Sequence, residues 1–233
     1  MNQFCRAPIA AMCMLIFGCG GGGNSVAPIT TESTAAATSF PVAAAIRTLS
    51  TNGTIFTISG VGSDSKTYTQ QVSIANQGKG VFEGVARDKV RTTSSLVQGS
   101  GTPLVGVSDD FYDLASMTLY GTVASNSYEV AGSPLPMPVS APSGNVGVLS
   151  TGADVFTASD KSTKIFKANK TWSLLAIDST SAWFCVESIE VSATTQAFVV
   201  SETDCYRITS VGVVSGFKST VKFASPDLTI TLQ

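Results

Sequence analysis

Three carboxylates crowd together at Asp109, Asp110 and Asp113, with Tyr112 among them. Such a group supplies oxygen ligands for calcium, or the acid and base of a glycoside hydrolase. The calcium-loop pattern D-x-[DN]-x-[DN]-G is absent, and hydrolase carboxylates usually come from separated strands. The plainer reading is a capped, solvated turn, with Ser108 able to start a short helix over 108–114. A second cluster is basic: Lys161, Lys164, Lys167 and Lys170, near Phe166 and Trp172. Close ammonium groups suit lipid phosphates or an acidic glycan. Lysines also line exposed strand edges to block strand addition, and a solvated edge is the favoured expectation. Ser-x-x-Lys spacing occurs at Ser63/Lys66, Ser215/Lys218 and Ser219/Lys222. Acyl-transfer enzymes that use this pair hold it on a helix with companion motifs absent here, and coincidence explains it better in so Ser-rich a chain. Trp172, Trp183, Phe184, Phe198 and Tyr206 either form a sugar-stacking platform or pack a core, and core packing is the default for rings inside β runs.

The chain of 233 residues has no histidine, which excludes Ser-His-Asp and Cys-His catalysis, His-ligated zinc and haem on an axial His. Sixteen acidic against fourteen basic residues gives no general nucleic-acid footprint. Charged residues make only 13% of the chain and hydrophobic ones 43%, while Ser and Thr take roughly a quarter. No metal and no cofactor is expected.

The N-terminus carries an address. Arg6 precedes the apolar run 7–17, which ends at Gly18-Cys19. A positive end, an apolar core and a small residue at the cut make an export signal, too short for a bilayer span of ~20 residues. Ile16-Phe17-Gly18-Cys19 resembles the lipobox of bacterial lipoproteins processed by signal peptidase II. That resemblance implies cleavage after residue 18 and a diacylglyceryl thioether on Cys19. Gly20 rather than Asp follows the Cys, which implies lipid anchoring at the outer membrane, facing either the periplasm or the medium. Residues 19–45, rich in Gly, Ser, Thr, Ala and Pro, read as the lipidated Cys and a flexible linker.

From residue 46 onward short β-branched and aromatic runs alternate with turn chemistry. Examples are 54–59, 68–74, 81–85 and 117–123, with turns expected at 61–66 and 76–80. No helical window outscores the two-residue period. The expected fold is all-β, an antiparallel sandwich or barrel-like sheet: a first β unit at 46–132, a Pro-rich crossing segment at 133–145 and a second β unit at 146–233. The residues Tyr128-Glu129-Val130, Leu135-Pro136, Gly147 and Trp172-Ser173-Leu174 resemble a group of secreted β-rich lipoproteins of proteobacteria. The resemblance implies fold and location, and no activity.

Cys5 and Cys13 leave with a signal peptide and Cys19 is alkylated, so Cys185 and Cys205 remain to form one disulfide. Their midpoint is Thr195, inside an expected turn at 192–196, which places them opposite each other in a hairpin. The functional expectation is a non-catalytic binding or structural module of the cell envelope, joined to the membrane through Cys19, with a protein or glycan ligand. The alternatives are an envelope hydrolase using the aspartates, or a lipid or glycan carrier with a cleft between sheets.

Overall fold

The computed structural model describes residues 39–233; the expected signal segment, Cys19 and most of the expected linker lie outside the described residues. In chain order the elements are β1 (Ser39–Phe40), α1 (Val42–Asn52), β2 (Thr54–Gly62), β3 (Thr67–Phe82), β4 (Val85–Gln98), β5 (Leu104–Asp113), β6 (Thr118–Ala124) and β7 (Ser127–Val130). They continue with β8 (Ser133–Pro134), β9 (Ala141–Pro142), β10 (Val146–Phe156), β11 (Lys164–Ala176), β12 (Ser181–Ser192), β13 (Phe198–Thr209), β14 (Val214–Ala224) and β15 (Asp227–Leu232). Apart from one helix, the described residues are all-β. Twelve strands close into an antiparallel barrel, β2 to β7 and β10 to β15, and β1 with β9 forms a small second sheet.

Two pairings close the ring. β10 pairs with β11, and the last strand, β15, pairs with β2 through residues 230–232 against 60–62. The strands before and after the Pro-rich segment therefore belong to one sheet. That segment carries Met137 and Ala141 across one end of the barrel, where Ala141 pairs with Phe40. Its prolines cannot donate ladder hydrogen bonds, which suits a crossing path.

Alternation decides which side chains face the lumen. On β13, Asp204, Tyr206 and Ile208 share the inner face, with Cys205 and Arg207 on the other. The inner wall is apolar over β2, β3, β14 and β15, where Ile58, Val72, Phe217, Ile230 and Leu232 are buried together. Outside the wall, the long β3–β4 hairpin bends so that Phe82 stacks on Phe111 at 4.9 Å and on Tyr128 at 5.3 Å.

Four local expectations are corrected. The run 42–52 is a helix: Val42, Ile46 and Leu49 recur at helical spacing, Ala43 and Ala45 are buried, and Gly53 ends it at φ 72° with its N–H on Leu49 O. Residues 39–40 and 42–45, expected in the linker, therefore belong to β1 and α1; splitting the helical stretch between expected linker and β unit hid its period. The 108–114 stretch is strand β5, because Ser108 pairs with Thr92 and Ala124 and continues the ladder rather than capping a helix. The turn expected at 76–80 is a bulge inside β3, with Gly78 at φ 74°, and the true turn is Glu83-Gly84 at φ 49° and 75°. The run 81–85 is therefore not one strand.

Helix α1 spans one end of the barrel. Its start meets the β13–β14 turn, where a Cβ on Gly212 would lie 3.3 Å from Pro41. Further along, Arg47 donates from Nε to Leu114 O and from Nη2 to Ala115 O, both at 2.6 Å, in the β5–β6 turn. Each large apolar side chain it buries stabilises the fold by about 1.5–3 kcal/mol.

Candidate functional site

The three aspartates do not converge. Asp109 points outward and is held by Arg91 at 2.8 and 2.9 Å and by Lys89 at 2.9 Å. The Arg91 guanidinium keeps its carboxyl below the usual range. Asp113 caps the β5–β6 turn, accepting from Ala115 N at 2.9 Å, and that bond lowers its pKa. Only Asp110 faces the lumen. A one-residue step along a strand reverses the face, so adjacent carboxylates cannot share a site there.

The lysine run is likewise dispersed. Lys161 pairs with Glu83, Lys164 with Asp154 at 2.7 Å, and Lys170 with Glu129 inside the barrel; Lys167 is exposed, in register with Asp154. The expected solvated edge is corrected: β11 lies between β10 and β12, and a closed ring has no edge. Ser219 and Lys222 fall on opposite faces of β14, as spacing of three in a strand requires. The aromatic set is split by the wall. Phe184 is fully buried against Trp172, with ring centroids 6.1 Å apart, and Tyr206 packs on Phe217 at 5.2 Å. Trp183 and Phe198 lie on the outside, under Lys218 and Lys222. Cys185 and Cys205 are disulfide-bonded, directly opposed in the β12–β13 register with Cα atoms 4.0 Å apart.

What the fold does assemble is a cavity of about 210 Å³ in the barrel lumen. Ile46, Leu49 and Ser50 of α1 form part of its lining, and the strands add Val72, Val90, Phe184 and Phe217. Val107 and Leu135, both exposed, sit at its margin, so it is not sealed from solvent. Polar side chains share this lumen with the apolar ones. Asp110 of β5, Glu129 of β7, Glu190 of β12 and Glu202 and Asp204 of β13 all line the cavity, against one ammonium among the described residues, Lys170 of β11. Thr122 donates to Asp110 Oδ1 at 2.7 Å, and Lys170 holds Glu129.

This charge set is strained by burial. Removal from water pushes the Asp110 carboxyl up to about 6, even though Thr122 and Lys170 favour its charged form. Burial takes Asp204 up to about 7, against the opposing effect of its hydrogen-bonding neighbours. Glu202 rises well above the carboxylate range, through burial and then the charges of Asp204 and Glu190. For Lys170 burial disfavours the charge, but Glu129, Asp110 and Glu190 more than offset it and raise its pKa. Three acceptors on this lining have no partner: Glu202 Oε1, Asp204 Oδ1 and Gln70 Oε1. Among the described residues no group of three His, Cys, Asp or Glu side chains could hold a metal ion.

Reasoning from local clusters missed Glu129, Glu190, Glu202 and Asp204. Their signal was phase: Glu202 and Asp204 share the two-residue phase of Val200, Tyr206 and Ile208, so they had to enter the same interior. No family model, no curated protein and no solved structure matches the chain.

Proposed function

We propose that the protein is a non-catalytic binding module of the cell envelope, anchored at the outer membrane through lipid on Cys19, and that it holds a small ligand in the lumen of its barrel. The observation that carries the reading is the cavity of about 210 Å³, whose lining combines apolar side chains with buried, incompletely partnered polar groups. Ligand sites combine an apolar lining with a few placed polar groups in this way. A 150 Å³ cavity is enough for benzene, so this one takes a ligand of about eight or nine non-hydrogen atoms. The anchor rests on the Ile16-Phe17-Gly18-Cys19 motif. The envelope-hydrolase alternative loses its premise, since the three aspartates that motivated it lie in three different places.

Fragment binding followed by NMR tests the lumen. Binders should shift the amides of Val186, Ser188 and Glu202, and the cavity-filling variant Val186→Phe should abolish those shifts. Shifts confined to outward residues such as Trp183 and Lys218 would refute a lumen site. Mass spectrometry of the membrane-extracted protein tests the anchor, with an acylated Cys19 expected at the N-terminus; an unmodified terminus elsewhere would refute it.

A further inference from the structure

We infer that the lumen selects a small protonated amine with an apolar tail, the ammonium seated against Glu202 and Asp204. This deepens the lumen-binding reading and rests on it.

The first argument is hydrogen-bond polarity. A buried polar atom without a partner costs about 1–3 kcal/mol, so native proteins leave few of them. Here the carboxylate and amide atoms left over on the cavity lining, Glu202 Oε1, Asp204 Oδ1 and Gln70 Oε1, are all acceptors. Gln70 is 2% exposed and Glu202 8%, so both are held away from bulk water. The Gln70 amide nitrogen is already committed to Ser94 Oγ at 2.8 Å, which leaves its oxygen toward the cavity as an acceptor. An occupant that completes this wall must bring donors.

The second argument is charge. Five carboxyl groups line the cavity and one ammonium answers them, with Lys170 already paired to Glu129. An anion would meet repulsion without a free cation to receive it. A protonated amine favours the ionised form of these buried carboxyl groups and then makes charge-assisted hydrogen bonds, which are about twice as strong as neutral ones.

The third argument is shape. The cavity is far larger than a bare ion, and calcium needs six to eight oxygens converging at roughly 2.3–2.6 Å. No group of three acidic side chains among the described residues comes together in that way. Phe217 on β14 beside β13, Val72 two residues along β3 from Gln70, and Leu49 of α1 also line the cavity and supply an apolar surface for the tail. The Phe217 and Tyr206 rings, 5.2 Å apart, also offer π faces to the cationic head.

Calorimetric titration of the full lipid-free chain at pH 8 with phenethylammonium chloride, and separately with 2-phenylethanol, tests the inference. The two probes have the same skeleton and differ in charge. The amine should bind at least tenfold more tightly than the alcohol, and Glu202→Gln/Asp204→Asn should erase that preference while leaving the alcohol affinity unchanged. Near-UV circular dichroism shows that the double variant is folded; should it not fold, Gln70→Leu provides a milder loss of one acceptor, expected to weaken the amine alone. Equal affinities for the two probes would overturn the amine and leave lumen binding standing. Displacement of the amine by calcium chloride would overturn it in favour of a metal site. Failure of both probes to bind would overturn the amine and the lumen reading together.

Discussion

Lys170 and Glu129 form an ion pair inside the barrel wall, with only 12% and 10% of their side chains exposed. β7 presents the glutamate and β11 the lysine, and β10 runs between those two strands. The two residues, 41 apart in sequence, meet across β10, which pairs with both strands. Removing one partner of a buried pair leaves an uncompensated charge and costs about 3–5 kcal/mol, whereas replacing both is often nearly neutral. Lys170→Met should therefore lose about that much in urea unfolding, and Lys170→Met/Glu129→Gln should recover most of it. Equal losses in the single and double variants would show that the pair contributes no coupling.

The Cys185–Cys205 bridge ties β12 to β13 across 20 residues of sequence. By restricting the unfolded chain it should stabilise by about 3 kcal/mol. At ~2–4 °C per kcal/mol for a chain of this size, Cys185→Ser/Cys205→Ser should lower Tm by roughly 10 °C. Thiol labelling of the unfolded, unreduced protein should find neither cysteine reactive.

Acid should stabilise this protein over part of the range. Asp110 and Asp204, raised to about 6 and about 7, bind protons more tightly folded than unfolded. From about pH 4 to pH 7 the native state holds the extra protons, so stability falls as pH rises through that window. Glu202, also raised by burial, adds to the same fall. The lowered groups act oppositely: Asp109, and Asp178 at about 2 through Thr180, give stability lost as pH drops below about 4. Maximum Tm is expected near pH 4–5, several degrees above that at pH 8, and Asp204→Asn should flatten the decline. A Tm that climbs steadily from pH 5 to 8 in wild type would contradict the burial of these groups.

The β15–β2 seam is short, and Gly60 makes it close. A Cβ there would lie 1.8 Å from Thr231 O, so the two backbones approach each other only because the side chain is missing. Gly60→Ala must push the last strand away, at an expected cost of about 2 kcal/mol or more. Hydrogen exchange should show the loss concentrated at residues 228–232 rather than at the β12–β13 hairpin.

The two-residue period in runs such as 68–74 determined an all-β chain, because alternation is a local property of the backbone that each segment carries by itself. The Cys185/Cys205 spacing about a turn determined that hairpin's register for the same reason. The helix escaped because Val42, Ala43 and Ala45 looked like linker until Ile46 and Leu49 were joined to them. Closure could not be read locally: it depends on the last strand, β15, meeting β2, a contact set by the accumulated twist of a whole sheet. Closure alone made one face a lumen. That is why Asp109 and Asp110, neighbours in sequence, ended on opposite sides of the wall, while Asp110, Glu129, Glu202 and Asp204 ended around one cavity.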